Sequence, residues 1–134
     1  MLYNDKVMEA FSNPKNVGEV ENYDAIGTVG NANCGDIMQI TLKIDNDVIT
    51  DAKFKTFGCA AAIATSSTAT EMIKGMKISD ALKVTNAQVV EKLQGLPPQK
   101  IHCSVLAEEA IKSAIEDYRK KKVKPNDFEP EKMV

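Results

Sequence analysis

The residues of this sequence that could carry chemistry are three cysteines, a single histidine and an aspartate close to one of the cysteines. The thiols belong to Cys34, Cys59 and Cys103, with Asp36 two residues after the first and His102 immediately before the third. Thiolates suit zinc, copper(I) and iron–sulfur centres, and carboxylate and imidazole groups can complete such ligand sets. No two cysteines have the C-x-x-C spacing of zinc fingers or thioredoxins, so composition and position indicate only a metal or thiol site.

Each cysteine lies at a junction between predicted elements. Cys34 belongs to the loop of residues 30–36 that enters a strand, Cys59 lies between a strand and a helix, and Cys103 stands near the start of the last helix. The unpaired N–H groups and positive partial charge at a helix N-terminus lower the pKa of a thiol. We therefore expect thiolates at Cys59 and Cys103, and we expect the junctions to bring the three sulfurs together. The alternative for each cysteine is a small buried hydrophobe.

Three strands are predicted in the first half of the chain. The first is a weak candidate at about residues 25–29. The second has the alternating apolar residues of a half-buried strand, namely Met38, Ile40, Leu42 and Ile44. Residues 45–47 supply turn chemistry, and a third strand follows at about residues 48–57, so the last two strands are expected to form an antiparallel hairpin.

Five helices are predicted, and together with the sheet they are expected to fix the positions of the three cysteines. The second of them, residues 60–74, is rich in small side chains that allow it to lie close to a sheet. The expected boundaries follow from caps and breakers: Asn4 to Pro14, 60–74 before Gly75, Ser79 or Asp80 to Val84, Thr85 (with Gln88) to Gly95, and a last helix from near Cys103 or Ser104.

The fold class that follows is α+β, with a small antiparallel sheet of about three strands covered by about five helices in a two-layer sandwich. We expect one domain over residues 1–124 and a flexible C-terminal tail over residues 125–134. Five of the six residues 119–124 are Lys or Arg. They are interpreted either as a solvated helix end favoured by the helix dipole or as a docking patch for an acidic partner.

Composition excludes several classes of protein. Lys and Arg number 17 against 19 Asp and Glu, so no net positive field favours nucleic acid or anionic lipid. The longest uncharged stretch, residues 56–70, is short for a membrane span and rich in Ser and Thr,. The first residues have no apolar segment of a signal peptide. With an odd number of cysteines, these features predict a cytoplasmic protein with free or metal-bound thiols and neither nucleic acid nor membrane as a partner.

Three segments around the cysteines closely resemble the signature segments of the IscU/NifU-type iron–sulfur cluster assembly scaffolds. They are residues 30–36 (GNANCGD), 56–67 (TFGCAAAIATSS) and 96–104 (LPPQKIHCS). The likeness runs from about Tyr3 to Lys121. We expect none of the extra domains of full-length NifU proteins, and the stretch between Cys59 and Cys103 lacks room for the insertion of the zinc-bearing SufU branch. A stand-alone, IscU-like scaffold is therefore the best match.

The resemblance implies the ligands, the cargo and the partners. Cys34, Cys59 and Cys103 are expected to ligate a nascent [2Fe–2S] cluster, with Asp36 beside them, and the same residues with His102 are expected to bind iron or zinc. A cysteine desulfurase is the expected sulfur donor, a ferredoxin or another protein the expected electron donor, and apo iron–sulfur proteins the acceptors. The scaffold is expected to have no turnover of its own, and a cluster shared by two protomers would make it a homodimer.

Several alternatives stay open at this point. Asp36 is a ligand, a neighbouring base or a turn residue, and His102 is either a fourth ligand in place of Asp36 or the residue that orients Cys103. Cys103 is also the candidate persulfide acceptor, so a persulfide relay is the second function considered. A small zinc hydrolase using Asp36, Cys59 and Cys103 with an open water site is the third.

Two positions depart from the family pattern. Ala60 and Ala61 stand where the family often has Gly-Ser, and their small size predicts little functional change. The Hsp70-type chaperone motif, commonly Leu-Pro-Pro-Val-Lys, has a polar residue in place of its Val, which puts assistance by such a chaperone in doubt. The segment is therefore interpreted either as an extended peptide for a chaperone or as a rigid connector that positions Cys103. Its residues are Leu96, Pro97, Pro98, Gln99 and Lys100.

Overall fold

The structure, a computed structural model, describes residues 3–31 and 36–122. Within these ranges the elements are α1 (Asp5–Ser12), β1 (Ala25–Asn31), β2 (Asp36–Asp45), β3 (Val48–Phe57), α2 (Ala60–Ile73), α3 (Ile78–Ala81), α4 (Asn86–Lys92), a 3₁₀ turn (Pro98–Lys100) and α5 (Ile101–Lys122). The strands form one antiparallel sheet in the order β1-β2-β3, against which α2 and α5 pack. The predicted α+β sandwich is confirmed.

The β2–β3 hairpin closes where the sequence predicts a turn. Asn46 and Asp47 both have positive φ, 51° and 62°, as the tight turn favoured by the twist of two antiparallel strands requires. Asp45 pairs with Val48 across this turn. The resulting register places Phe57, at the end of β3, opposite Ile37, so the C-terminal end of β3 lies beside the N-terminal end of β2.

One face of the sheet forms the core with the helices. Met38, Ile40 and Leu42 of β2 are fully buried. Gly27 of β1 pairs with Ile40, and a Cβ added to Gly27 would overlap backbone atoms of Ala110 and Ala114. The absence of a side chain there lets α5 lie directly on β1, which fixes the position of the helix that carries Cys103.

The second helix, α2, buries small and hydroxyl-bearing residues. The hydroxyl groups of Thr65, Ser66 and Thr70 are buried and donate to carbonyls one turn earlier in the helix, at 2.8, 2.7 and 2.7 Å. Burial of these polar groups is tolerated because each is hydrogen-bonded.

Several predicted caps are confirmed. The Oδ1 of Asn4 accepts the N–H of Val7 at 2.9 Å at the start of α1, and the capping box of Thr85 and Gln88 opens α4. The Nδ2 of Asn4 also donates to the carbonyl of Leu93 at 3.0 Å, which joins α1 to the end of α4.

Two predicted helix starts are wrong. The short helix α3 begins at Ile78 and ends at Ala81, because the N–H of Ile78 donates to the carbonyl of Asp47 at 2.9 Å and ties the helix start to the hairpin turn. The last helix begins at Ile101 instead of Cys103 or Ser104, because the 3₁₀ turn Pro98–Lys100 continues directly into it. Cys103 therefore lies inside the first turn of α5.

Two predicted features, Cys34 and the tail of residues 125–134, lie outside the residues that the structure describes.

The basic end of α5 forms ion pairs within its own helix. Lys120 and Lys121 pair with Glu116 and Asp117 at 3.4 and 3.0 Å, which favours the interpretation of a solvated helix end. Over the described residues, no helix is long and apolar enough to cross a membrane.

Candidate metal centre

The beginnings of three elements meet at one place and bring the predicted site residues together. Asp36 opens β2, Cys59 is the N-cap of α2, and His102 and Cys103 lie in the first turn of α5. One ligand atom each from Asp36, Cys59 and Cys103 lie within 4.8 Å of one another, and the two sulfurs are 3.8 Å apart. Of the residues predicted for the site, these three and His102 converge, whereas Cys34 lies outside the described residues.

The Asp36 carboxylate is nearly buried, with 8% of the residue exposed. Its Oδ2 lies 2.9 Å from the Nε2 of His102, whose side chain is 53% exposed. The same nitrogen lies 3.6 Å from the Sγ of Cys103. His102 therefore stands between the carboxylate and the buried thiol, where it can bridge them or share a metal ion with them.

The Cys59 thiol has the low pKa that its position predicts. Burial raises the pKa of Cys59, but the N–H groups of Ala62 and Ala61 at the start of α2 lower it, and so do the hydrogen bond with Cys103 and the charge of Lys100. The balance leaves the pKa below its ordinary value of 9.0. This is the effect of a helix N-terminus on a thiol.

The expectation of a thiolate at Cys103 is wrong. Burial, and then the neighbouring charge and hydrogen bond of Cys59, raise the pKa of Cys103 to about 12. Cys103 is completely buried and packs with Ala61 and Ala62. The thiol packs in this apolar cluster, with the Cys59 sulfur at 3.8 Å and the Nε2 of His102 at 3.6 Å as its polar neighbours. Cys103 is therefore protonated unless a metal ion or a base removes its proton.

Two residues near the sulfurs, Tyr3 and Lys100, were not predicted to belong to the site. Tyr3 packs against the cluster of Ala61, Ala62 and Cys103, and its pKa is raised by burial and then by the charge of Cys59. The charge of Cys59 also raises the pKa of Lys100. A signal for Lys100 was available, since it stands three residues before Cys103, whereas Tyr3 reaches the site only through the tertiary fold.

The segment of residues 96–100 supports the interpretation of a rigid connector. Leu96 packs against the same cluster of Ala61, Ala62 and Cys103. The N–H of Lys100 donates to the carbonyl of Pro97 at 2.8 Å and closes the 3₁₀ turn. Recognition as an extended peptide would require this packing and this turn to be undone.

The donor set fits a thiophilic metal. Two thiols and one carboxylate supply three of the four ligands that zinc takes in a tetrahedral site, and thiolates also hold iron–sulfur clusters. The imidazole of His102 is close enough to act as a further ligand or to orient the carboxylate,.

Comparisons with known proteins give a consistent family. The family model of the NifU-like N-terminal domain matches residues 2–125. The chain is 58% identical over 120 residues to "Iron-sulfur cluster assembly scaffold protein IscU 1" of Archaeoglobus fulgidus, which covers 90% of this chain and 78% of that protein. It is 50% identical over 125 residues to the IscU scaffold protein of Haemophilus influenzae, covering 90% and 98% of the two chains.

A solved structure shows the same fold at lower identity. The N-terminal part of a nitrogen-fixing NifU-like protein from Brucella abortus superposes with a TM-score of 0.70 and 21% identity. The match covers 88% of this chain and 94% of that one. The sheet with its helices is thus retained where most side chains differ.

Proposed function

The chain belongs to the family of the NifU-like N-terminal domain, and we infer that it is a scaffold on which an iron–sulfur cluster is assembled before transfer to an apo-protein. The observation that carries this function is the convergence of one carboxylate and two thiols within 4.8 Å of one another. Two relatives named as such scaffolds match nine-tenths of the chain. A scaffold binds and transfers its cargo, so we expect no turnover of its own.

We assign the cluster ligands to Cys34, Asp36, Cys59 and Cys103, with a [2Fe–2S] cluster as the cargo. The assignment is supported by the 3.8 Å separation of the Cys59 and Cys103 sulfurs and by the carboxylate beside them. Cys34 is two residues from Asp36 in the sequence, which supports its assignment to the same ligand set.

A ligand set of thiolates and one carboxylate suits a cluster that is to be transferred to another protein. Four thiolates hold a cluster permanently in ferredoxins. A carboxylate oxygen is a harder donor than sulfur and a poorer match to iron in a sulfur-rich site. Asp36 therefore provides the ligand at which iron or sulfide enters and at which an acceptor thiol replaces the scaffold.

Sulfur is proposed to arrive from the persulfide of a cysteine desulfurase, with Cys103 as the acceptor. The Cys103 sulfur attacks the outer sulfur of that persulfide, the S–S bond breaks, and the desulfurase cysteine leaves as a thiolate. Because the pKa of Cys103 is raised to about 12, its proton needs a base. The Nε2 of His102 lies 3.6 Å away and can take the proton in the tautomer with its hydrogen on Nδ1, which gives up the hydrogen bond to Asp36. Two electrons from a ferredoxin or another donor then reduce the transferred sulfur to sulfide.

The same donors are suited to zinc. Zinc takes thiolate, imidazole and carboxylate ligands in tetrahedral sites, and Cys59, Cys103 and Asp36 with His102 supply all three kinds. We propose that zinc occupies the cluster site when no cluster is present.

The two alternative functions are weaker on the same observations. A persulfide relay requires Cys103 as acceptor but gives no role to the carboxylate of Asp36 within reach of both sulfurs. A zinc hydrolase requires a substrate pocket at the metal. Among the described residues, a cavity of about 480 Å³ lies between α1, α2 and α4, and it is lined by residues such as Lys6, Ser67 and Lys92 and not by the metal-site residues.

The experiment that tests the function is anaerobic reconstitution with ferrous iron, cysteine and a cysteine desulfurase. A scaffold becomes red-brown, with thiolate-to-iron charge-transfer bands and equal amounts of iron and sulfide. Single replacements of Cys34, Cys59 or Cys103 by Ser should lose the bands, because a hydroxyl is not ionised near neutral pH and is a poor iron ligand.

A matched control is Val105→Ser, which changes an exposed residue of α5 two positions after Cys103. It should assemble a normal cluster. A colourless wild-type protein that gains sulfane sulfur on one cysteine would identify a relay instead. Wild-type iron and sulfide content in all three cysteine variants would refute the site.

A further inference from the structure

At Gly58 the main chain passes close to the Asp36 carboxylate. Gly58 lies between the end of β3 and Cys59. A Cβ added at Gly58 would overlap the Oδ1 of Asp36, and it would lie 3.5 Å from the Cγ of Asp36 and 3.0 Å from the Cβ of Ala62. Any side chain at position 58 would therefore compete with the carboxylate for the same volume.

The need for glycine at this position is spatial. The described glycines with positive φ are Gly18, Gly30, Gly75 and Gly95, so Gly58 has a backbone conformation that other residues also adopt. Alanine at position 58 would meet no backbone penalty of the left-handed kind. Its cost would come from displacement of its neighbours, and the carboxylate is the neighbour that is overlapped most.

The other side of the carboxylate is also fixed. The Oδ2 of Asp36 lies 2.9 Å from the Nε2 of His102, while Oδ1 faces the α-carbon of Gly58. The carboxylate is therefore held between the bare backbone of Gly58 and the imidazole of His102. Movement away from Gly58 would change its distance to both His102 and the two sulfurs.

We propose that Gly58 is a positioning residue that admits the oxygen ligand to an otherwise sulfur-rich site. By leaving room for the Asp36 carboxylate beside Cys59 and Cys103, it sets the ligand exchange on which cluster release depends. This inference rests on the proposed function, and in particular on Asp36 as a ligand.

The test is a double-mutant cycle of Gly58→Ala, Asp36→Ala and the pair of substitutions. Each protein is loaded with Co²⁺, whose visible absorption reports the ligand set, and separately with a [2Fe–2S] cluster. Transfer of the cluster to an apo-ferredoxin is followed by circular dichroism. Far-UV circular dichroism and urea unfolding of each variant establish that it is folded.

The expected result is that Gly58→Ala alters the Co²⁺ spectrum in the same way as Asp36→Ala and slows transfer to a similar extent. The double variant should match Asp36→Ala to within about twofold, because the two substitutions remove the same interaction. If Gly58→Ala does not fold, the double variant Gly58→Ala, Ala62→Gly is used in its place. It removes the contact to Ala62 and retains the overlap with Asp36, and its Co²⁺ spectrum and transfer rate are measured in the same way.

Two results would overturn the inference and leave the function intact. One is a wild-type spectrum and rate for Gly58→Ala while Asp36→Ala differs. The other is an effect of Gly58→Ala that multiplies that of Asp36→Ala in the double variant, which would show that Gly58 acts on something else. If Asp36→Ala itself is indistinguishable from wild type, the ligand role of Asp36 fails, and the inference about Gly58 fails with it.

Discussion

The Oδ2 of Asp36 and the Nε2 of His102 lie 2.9 Å apart, so the two candidates for the fourth ligand are within hydrogen-bond distance of each other. The contact joins the first residue of β2 to the first turn of α5 across 66 residues of sequence. A metal-binding carboxylate or imidazole is normally oriented by such a partner. We infer that one of the two binds the metal while the other orients it, and that the Asp36 oxygen, which lies within 4.8 Å of both sulfurs, is the ligand.

Zinc and the cluster are predicted to compete for this site. Since Cys59 and Cys103 are the proposed ligands of both, protein loaded with one equivalent of zinc should assemble little cluster during reconstitution. Addition of a chelator should restore assembly. The measurement is the growth of the charge-transfer bands together with zinc analysis of the desalted protein. Full cluster formation with stoichiometric zinc still bound would mean that the two sites are separate.

The Thr65 hydroxyl is predicted to connect the two cysteine-bearing turns. Its Oγ1 lies 3.3 Å from the carbonyl oxygen of Cys103 and 2.8 Å from that of Ala61. Thr65→Val keeps the shape of the side chain and removes the hydroxyl, whose single hydrogen is donated to the carbonyl of Ala61 in the shortest of these contacts, and this should lower the free energy of unfolding by about 1 kcal/mol. It should also weaken zinc binding, because the polar contact between α2 and the first turn of α5 is lost.

A matched control for Thr65 is Thr70→Val. Thr70 is buried in the same helix, more than one turn further from the site. Its hydroxyl donates to the carbonyl of Ser66 at 2.7 Å and also accepts from the Nδ2 of Asn16 at 3.1 Å. Urea unfolding should therefore show at least as much destabilisation for Thr70→Val as for Thr65→Val, whereas zinc titration should show weaker binding only for Thr65→Val. Equal zinc affinity in the two variants would contradict the proposed connection.

A carboxylate at the junction of α4 and α5 is predicted to make stability depend on pH. Glu108 accepts the N–H of Asn86 at 2.6 Å and pairs with Lys112 at 2.8 Å. The hydrogen bond from Lys112 lowers the pKa of Glu108, burial opposes it, and the Asn86 N–H lowers it further, so that it lies below 4.5. The folded state therefore favours the ionised form, and the stabilisation is present above pH 4.5 and lost as the pH falls below it.

The corresponding variant is Glu108→Gln. It should lose about 1 kcal/mol of unfolding free energy at pH 7, and the difference from wild type should shrink as the pH is lowered through the folded pKa. Glu109→Gln, at the exposed neighbouring position, is the control and should change little at either pH. Urea unfolding at several pH values is the measurement, and a difference that does not depend on pH would rule out the charge of Glu108 as the cause.

The parts of the fold that follow from local pattern were predictable. The alternation of Met38, Ile40 and Leu42 fixes the buried face of β2, and the capping box of Thr85 and Gln88 fixes the start of α4. Both signals act within a few residues, so the sequence carries them completely.

The parts that depend on tertiary burial were not predictable in the same way. The 3₁₀ turn Pro98–Lys100 moves the start of α5 forward, and the cluster of Ala61 and Ala62 covers Cys103, so its pKa rises where a helix N-terminus predicted a fall. The approach of Gly58 to Asp36 is of the same kind. The positions of Cys59 and Cys103 at junctions between elements predicted that they meet, but only the fold decides which thiol is ionised.

Asp36 is predicted to control how easily the cluster leaves. Asp36→Cys would complete a set of four thiolates, which should hold a [2Fe–2S] cluster more firmly and release it more slowly. Asp36→Ala would leave one iron to water, to His102 or to an outside thiol, and it would remove the group that accepts a proton or leaves first during exchange. Transfer should then slow as well, although Asp36→Cys should hold the cluster more firmly than wild type and Asp36→Ala less firmly.

The measurement is transfer to an apo-ferredoxin, followed by circular dichroism after each variant has been loaded anaerobically to the same iron content. Loss of cluster to a chelator in the absence of an acceptor separates binding from exchange: Asp36→Cys should resist the chelator, whereas Asp36→Ala should not. If Asp36 is a ligand with a role in exchange, both variants should transfer the cluster slowly but differ in the opposite sense in their loss of cluster to the chelator. A change in binding strength alone would instead raise or lower the rate of transfer and the rate of loss to the chelator together. Wild-type rates in both assays would make Asp36 a turn residue at the start of β2.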